Sequence, residues 1–254
     1  MPIETCLVLS NEGLTPGAYL LWLEAPEVAP HARPGQYVMV RCSSDHDPLL
    51  RRPLSVHRVE EERLALYFAV VGRGTEWLAR RRPSDEVDIL GPLGNGFKIE
   101  PHSRNLLLVA GGMGIAPLVF LAQKAAAEGY SPILIHGAPG ALALYPQRLL
   151  PPRVDLRLAT EDGSQGEKGL ATELMVRYLE WADQVFACGP VGMYRAMAAH
   201  DLDKPVQVSL EVRLACGLGG CLGCAIHTRQ GQRLVCRDGP IFDLGEILWD
   251  ELKM

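Results

Sequence analysis

The stretch from Cys216 to Cys236 constrains this chain more than any other. It reads C-G-L-G-G-C-L-G-C, then eleven residues, then a fourth cysteine. Cys216, Cys221, Cys224 and Cys236 thus follow a C-x4-C-x2-C-x11-C spacing. The first three match the plant-type [2Fe–2S] pattern, in which four thiolates hold two irons. Gly217, Gly219, Gly220 and Gly223 lie between the ligands. Glycine tolerates positive φ and leaves room beside the sulfides, so a short loop can fold over a cluster with its N–H groups aimed at sulfur. Tetrahedral zinc is the rival occupant for four cysteines. Zinc ribbons, however, usually pair two C-x2-C knuckles, and only Cys221 and Cys224 form one here. A disulfide framework suits a small secreted chain rather than one that can build a large core. The spacing and the glycines together favour the cluster.

Composition supports the same compartment and class. At 254 residues the chain has room for one to three domains. A chain of that length buries roughly three quarters of its unfolded surface, so disulfides are not needed for stability. The net charge of −5, with no basic block, argues against nucleic acid or an anionic membrane as main partner. Cys6, Cys42 and Cys188 are an odd remainder, which predicts free thiols in a reducing, cytoplasmic setting. The opening residues carry neither a basic n-region nor a following apolar run. The most apolar stretch, Leu106 to Ala122, is broken by Gly111, Gly112, Gly114 and Pro117, so it reads as strand, loop and helix rather than a membrane span.

Along the chain the rhythm changes twice. Over 1–100, short apolar runs recur between turn signals: Cys6–Leu9, Ala18–Leu23, Gln36–Arg41, Leu54–Arg58, Leu64–Val71 and Glu86–Leu90. Six such strands predict a small antiparallel β-barrel, interrupted by one helix near Thr75–Arg81. Over 101–206, strands expected at Asn105–Ala110, Pro132–His136, Val154–Thr160, Gln184–Ala187 and Val206–Leu210 alternate with helices expected at Ile115–Glu128, Leu170–Trp181 and Met193–His200. That alternation predicts a doubly wound α/β domain with a parallel sheet. Residues 207–254 carry the cysteines and too few apolar side chains for an independent core.

Four further stretches carry chemistry. Leu49-Leu50-Arg51-Arg52-Pro53-Leu54-Ser55 puts an arginine pair at a barrel strand. Gly72-Arg73-Gly74-Thr75 enters a helix, where unpaired N–H groups and the helix dipole favour an anion. Taken singly, the first reads as solvated surface and the second as a plain turn with Thr75 as N-cap. Gly111-Gly112-Met113-Gly114-Ile115-Ala116-Pro117 follows a strand and opens a helix. It lacks the last glycine of G-x-G-x-x-G, but it still brings backbone close to a dinucleotide pyrophosphate. Cys188-Gly189-Pro190 ends a strand, at the side of an open α/β sheet where ligands sit, so the thiol is expected near a nicotinamide ring; the plainer reading of a lone buried cysteine is small-residue packing. His57 and His136 read as satisfied structure, and Leu248 and Trp249 equally as core or interface. Glu161-Asp162 ends a strand at some distance from the usual ribose-binding acid.

In this order, the four stretches and the cysteines resemble the ferredoxin-reductase-like FAD/[2Fe–2S] flavoproteins, specifically the electron-transfer subunits of NAD-dependent dihydroorotate dehydrogenase. The likeness runs over essentially the whole chain. It is most specific at Arg51-Arg52-Pro53-Leu54-Ser55, Gly72-Arg73-Gly74-Thr75, Leu90-Gly91-Pro92-Leu93-Gly94-Asn95-Gly96-Phe97, Ser209-Leu210-Glu211 and Cys236-Arg237-Asp238-Gly239-Pro240-Ile241-Phe242. The resemblance implies an FAD-binding barrel over 1–100, an NAD-binding domain over 101–206 and a [2Fe–2S] domain over 207–254. It implies that Arg52 meets the FAD phosphates, Ser55 the flavin ring, and Gly74 and Thr75 the pyrophosphate. Pro53 and Leu54 complete the first motif, and Tyr67, Phe68 and Ala69 form the strand along the cofactor. Leu54 stands where the wider superfamily has a tyrosine, so aromatic stacking on the ring is not expected. Gly111, Gly112, Gly114, Cys188, Gly189 and Pro190 are assigned to NAD, and Cys216, Cys221, Cys224 and Cys236 to the cluster. The implied partner is an FMN-containing dihydroorotate dehydrogenase subunit in a heterotetramer of two of each. The rivals are a ferredoxin:NADP oxidoreductase or sulfide dehydrogenase flavoprotein subunit and a zinc-bearing interaction module.

Overall fold

The computed structural model describes residues 2–43, 47–200 and 202–252. Six antiparallel strands come first: β1 (Ile3–Thr15), β2 (Ala18–Glu24), β3 (Tyr37–Val40), β4 (Arg52–Glu60), β5 (Arg63–Ala69) and β6 (Glu86–Leu93). They close a barrel in the order β1-β2-β5-β4-β3-β6. Period-two alternation sends Cys6, Val8, Leu21, Leu23, Leu64 and Leu66 into its interior. The helix α1 (Arg73–Ala79) follows β5, and its Leu78 joins the same interior.

The barrel opens at one place. β4 pairs with β5 from Glu60↔Arg63 only as far as Val56↔Leu66, with a bulge between Val56 and Arg58. Its first four residues, Arg52 to Ser55, pair with β3 on the other side. Tyr67, Phe68 and Ala69 of β5 meanwhile remain paired with β2. The two strands therefore part, leaving a cleft between residues 52–55 and 67–69.

The second layer is a sheet built on β7 (Asn105–Gly111), β8 (Ser131–Ala138), β9 (Asp155–Thr160), β10 (Glu167–Lys168), β11 (Gln184–Cys188) and β12 (Val206–Ser209). Its order is β10-β9-β8-β7-β11-β12, all parallel. β7, β8 and β11 are continuous apolar runs, as strands covered on both faces must be. The helices α2 (Ile115–Ala127), α3 (Ala171–Val176) and α4 (Val191–Ala198) cover them. α2 is buried along most of its length because it is wedged between the sheet and strand β4 of the barrel. No helix among the described residues is long and apolar enough to cross a membrane.

The terminal segment adds a hairpin, β13 (Ala225–Thr228) and β14 (Gly231–Leu234), the short helix α5 (Val235–Asp238), and β15 (Ile241–Asp243). β15 pairs antiparallel with β12 and completes the sheet. Cys224, Leu234, Cys236 and Phe242 pack in one core with Val185 and Val208 of the sheet and Tyr37 and Met39 of the barrel. β12 begins at Val206 and runs to Ser209, so the cysteine-bearing segment and the α/β sheet are continuous there.

Two expected elements differ. The helix expected at Leu170–Trp181 is only Ala171–Val176. Leu170 is its N-cap and half exposed, with its N–H donating to the Glu173 carboxylate at 2.9 Å. Beyond Val176 the chain tightens into turns, which bring Tyr178 and Trp181 against the core without helix. The first strand runs well past Leu9 to Thr15, because the tight turn at Pro16-Gly17 lets polar Ser10, Asn11 and Glu12 pair with β2.

Candidate functional site

The cleft between β4 and β5 is lined by Arg52, Pro53, Leu54, Ser55, Tyr67, Phe68, Ala69 and Thr75, which gathers the first and second sequence motifs in one groove. The two arginines are not equivalent. Arg51 turns into the barrel rim, where it donates to the Met39 and Asp88 carbonyls at 3.2 Å and pairs with the Asp88 carboxylate at 2.5 Å. Arg52 stays in the groove wall, and its guanidinium lies where a Cβ on Gly74 would come within 2.9 Å of Nε. Only glycine at 74 lets the arginine lie flat there. Thr75 is the third residue of α1 rather than its N-cap, which is Gly72. Its Oγ1 accepts from the Val71 N–H at 2.9 Å and donates to the Gly72 carbonyl at 3.1 Å, so the hydroxyl shapes the turn. The Phe68 ring points into the barrel and stacks on Tyr19, with centroids 6.1 Å apart. Tyr67 faces the opposite way, against α2, with its hydroxyl 3.2 Å from that of Thr15.

A second groove lies beyond the carboxyl ends of β7, β8 and β11. Gly111, Gly112, Met113, Gly114, Gly189 and Pro190 line it, so the glycine loop and the Cys188-Gly189-Pro190 turn do meet. The glycines have distinct reasons. A Cβ on Gly114 would stand 1.9 Å from the Cys188 carbonyl oxygen, and one on Gly111 2.8 Å from Cδ of Pro190. These two are required by the packing of loop on strand end. Gly112 has φ of +54° and open space where a Cβ would be, so of the three loop glycines it is the one that presents free backbone to the groove. The Cys188 thiol does not line the groove. It lies buried beneath, 4.0 Å from Oε1 of Glu211, and burial raises its pKa well above the ordinary thiol value. The Tyr194 hydroxyl accepts from the Gly189 N–H at 2.9 Å and donates to the Ser209 carbonyl at 2.6 Å, fixing the turn.

The four cysteines come as two pairs. The Sγ atoms of Cys224 and Cys236 are 3.3 Å apart, and Cys221 hydrogen-bonds to the sulfur of Cys216. Backbone N–H groups point at the sulfurs: Leu218 at Cys216 (3.3 Å), Gly219 at Cys236 (3.2 Å) and Cys236 at Cys224 (3.5 Å). Bonds from Leu218 and Cys221 pull the Cys216 thiol down to about 6. Burial, with Cys224 alongside, pushes Cys236 up to about 12. Two buried thiols this close ionise together only beside a cation. Four thiolates on this loop, two for each iron, are what a binuclear [2Fe–2S] cluster requires. Cys221 is exposed at the tip, flanked by exposed Leu218 and Leu222.

Three residues join these sites, and sequence reading gave none of them a role. Met113 lines both grooves. Glu211 borders both and also a third cleft beside Cys224. The residue is exposed overall, while its carboxylate turns in towards the Cys188 thiol, where burial raises its pKa above the ordinary carboxylate value. Tyr37 forms part of the first groove's wall, and its hydroxyl reaches the carbonyls of Cys236 (3.3 Å) and Gly217 (3.4 Å) in the cysteine loop. Glu161 lines the second groove, whereas Asp162 accepts from Ser164 and braces its own turn.

Comparison with known proteins agrees with this arrangement. Residues 211–248 match the iron-sulfur cluster binding domain of dihydroorotate dehydrogenase B. The electron transfer subunit of dihydroorotate dehydrogenase B (NAD(+)) from Desulforamulus reducens is 38% identical, over 96% of this chain and 97% of its own. The subunit of the same name from Bacillus caldolyticus is 37% identical, over 96% and 98%. Among solved structures, a chain of an NADH-dependent reduced ferredoxin-NADP oxidoreductase superposes with a TM-score of 0.88 at 29% identity, covering 98% of this chain and 91% of that one.

Proposed function

The chain belongs to the electron transfer subunits of dihydroorotate dehydrogenase B (NAD(+)), and from that premise we propose that it carries electrons between an FMN-containing catalytic partner and NAD, through a [2Fe–2S] cluster and FAD. The observation that carries the reading is contiguity. The two grooves share Met113 and Glu211, and Tyr37 stands between the first groove and the cysteine loop. When bound, FAD exchanges an electron pair with NAD as hydride and single electrons with the cluster.

The chain's own residues bind and orient. Arg52, held over Gly74, supplies a charged fork for the FAD phosphates, while Gly74 and Thr75 shape the turn beside the pyrophosphate. Pro53, Leu54 and Ser55 on one side and Tyr67, Phe68 and Ala69 on the other flank the cofactor. Gly112 offers backbone to NAD, with Gly111 and Gly114 packed below and Gly189 and Pro190 opposite. Cys188 supports this groove from beneath, through the carbonyl on which Gly114 packs, without touching NAD. Cys216, Cys221, Cys224 and Cys236 hold the cluster: the N–H donors aimed at their sulfurs support thiolate ligation, and the spacing with the matched iron-sulfur domain favours iron over zinc. By this reading residues 1–100 serve FAD, 101–206 NAD and 207–254 the cluster. The complex is a cytoplasmic heterotetramer of two of each subunit. The ferredoxin-NADP oxidoreductase likeness favours a second reading, in which the electron partner is a ferredoxin.

The test is division of labour. The isolated holo-chain should oxidise NADH with an artificial acceptor but leave dihydroorotate untouched. Adding the FMN-containing subunit should restore dihydroorotate-dependent NAD reduction, and Cys221→Ser should abolish that coupling while sparing dye reduction. Dihydroorotate turnover by the chain alone, or coupling only to ferredoxin, would overturn the proposal.

A further inference from the structure

Behind the wall shared by the two grooves lies a buried polar ring that the binding sites do not use. His57 sits at the bulge of β4, where bulges characteristically re-aim a side chain. Its Nδ1 donates to the Ala116 carbonyl at 2.8 Å, and its Nε2 accepts from the Tyr145 hydroxyl at 2.9 Å. The Tyr145 N–H in turn donates to Nδ1 of His136 at 3.4 Å, and Nε2 of His136 donates to the Gly112 carbonyl at 3.1 Å. The ring therefore starts and ends on the entry to α2, at Gly112 and Ala116, and passes through the barrel on the way. His57, His136 and Tyr145 are all nearly inaccessible to solvent. The Tyr67 ring packs edge-on to Tyr145 at 5.2 Å and tilted to His57 at 5.5 Å.

Position gives this ring its meaning. Tyr67 and Ala116 line the first groove, Gly112 lines the second, and Met113 lines both. Two carbonyls of one loop are thus tied to a barrel strand and to β8 by directional bonds. Apolar packing alone would hold the two layers together just as well, but it would tolerate sliding. A fully satisfied polar network specifies one geometry. Hydride exchange needs the reacting atoms about 3–3.5 Å apart, and a misplacement of about 1 Å costs on the order of a hundredfold in rate.

We infer that Tyr145, with His57 and His136, is a positioning clamp that fixes the nicotinamide-side loop at residues 112–116 relative to the flavin-side wall of the barrel. The inference rests on the proposed assignment of the two grooves. None of the three side chains lines either groove, so they act through the backbone of Gly112 and Ala116.

The test is Tyr145→Phe, which keeps the ring and the N–H to His136 and removes only the bond to His57. His57→Gln is the conservative partner, since its amide can still reach one of the two atoms. In holo-protein, Tyr145→Phe should retain FAD and hold the KM for NADH within roughly twofold, while FAD reduction by NADH in a single turnover slows about tenfold. His57→Gln should fall between. Independently of any cofactor, amide hydrogen exchange at residues 112–116 should speed up in Tyr145→Phe and stay unchanged in α4. A folded, FAD-replete Tyr145→Phe with wild-type reduction rate and exchange overturns the clamp. So does a variant that unfolds or sheds FAD, since the ring would then be general structure. If wild-type flavin is not reduced by NADH, the groove assignment has failed instead, and the exchange comparison still decides whether the ring restrains the loop.

Discussion

Two adjacent arginines illustrate how differently neighbouring residues are used. The charge of Arg51 is committed to Asp88 and to two carbonyls of the barrel rim. Arg52 makes one local bond, to the Leu50 carbonyl, and otherwise lies along the groove beside Gly74. Charge-assisted bonds to phosphate contribute about 1.5–3 kcal/mol each. Arg52→Ala should therefore weaken FAD binding by roughly ten- to a hundredfold with little change in melting temperature. Arg51→Ala should do the reverse, lowering the melting temperature and keeping FAD. The flavin-to-protein absorbance ratio after gel filtration reads the first effect, and equal FAD retention by both variants would refute the assignment. The distinction was visible in the linear motif through its likeness to a family. Met113 and Glu211 lay inside quoted motifs, but their place between the sites was not legible, nor was that of Tyr37, because each matters through neighbours from distant elements: Tyr37 meets Gly217 and Cys236 across most of the chain.

At the scale of elements, the loop from β7 into α2 is set by close packing on the end of β11. A methyl on Gly114 would fall 1.9 Å from the Cys188 carbonyl oxygen and 2.7 Å from the Gly189 nitrogen. Both are backbone atoms and move only if the strand moves. A methyl on Gly112 would meet nothing, although φ of +54° is unfavourable for alanine. A left-handed alanine costs about 1–2 kcal/mol, and overpacking about 1–3 kcal/mol or more, with a 1.9 Å approach to backbone at the severe end. Gly114→Ala should thus lower the melting temperature of the chain clearly more than Gly112→Ala, and Gly112→Ala should mainly weaken NAD binding. Equal melting temperatures would show that the loop can lift off the strand. Elements that are continuous apolar runs between turn signals, such as β7, β8 and α2, were legible from the sequence. Three were obscured for physical reasons. The outer half of β1 is polar because it pairs beyond the barrel core. α3 stops early because turns beyond Val176 bring Tyr178 and Trp181 inward. β15 is three residues long and exists only because β12 offers an edge.

For the whole molecule, the barrel and the α/β layer are locked together by groups whose protonation state is fixed by burial, and this gives the fold an acid limit. Burial lowers the pKa of His57 from 6.5 to about 3, opposed by its bond to Ala116 and assisted by the nearby Arg58 charge. Burial lowers His136 from 6.5 to about 4, opposed by its bond to Gly112. In each ring one nitrogen donates to a carbonyl and the other accepts, so the neutral form fills every bond. A proton on Nδ1 of His136 would face the Tyr145 N–H, donor against donor. The unfolded chain binds these two protons near pH 6.5, while the folded chain refuses them until about pH 4 and pH 3. Their contribution is therefore complete above pH 6.5 and is lost as pH falls towards 4, with a slope of about 1.4 kcal/mol per pH unit for each histidine. His136→Gln keeps a donor for Gly112 and an acceptor for Tyr145 but cannot titrate. Urea unfolding of the wild type between pH 6.5 and 4.5 should lose stability more steeply than the variant, by about one proton's worth. Parallel slopes would mean that His136 titrates in the folded chain as it does in the unfolded one, and that burial does not hold it neutral.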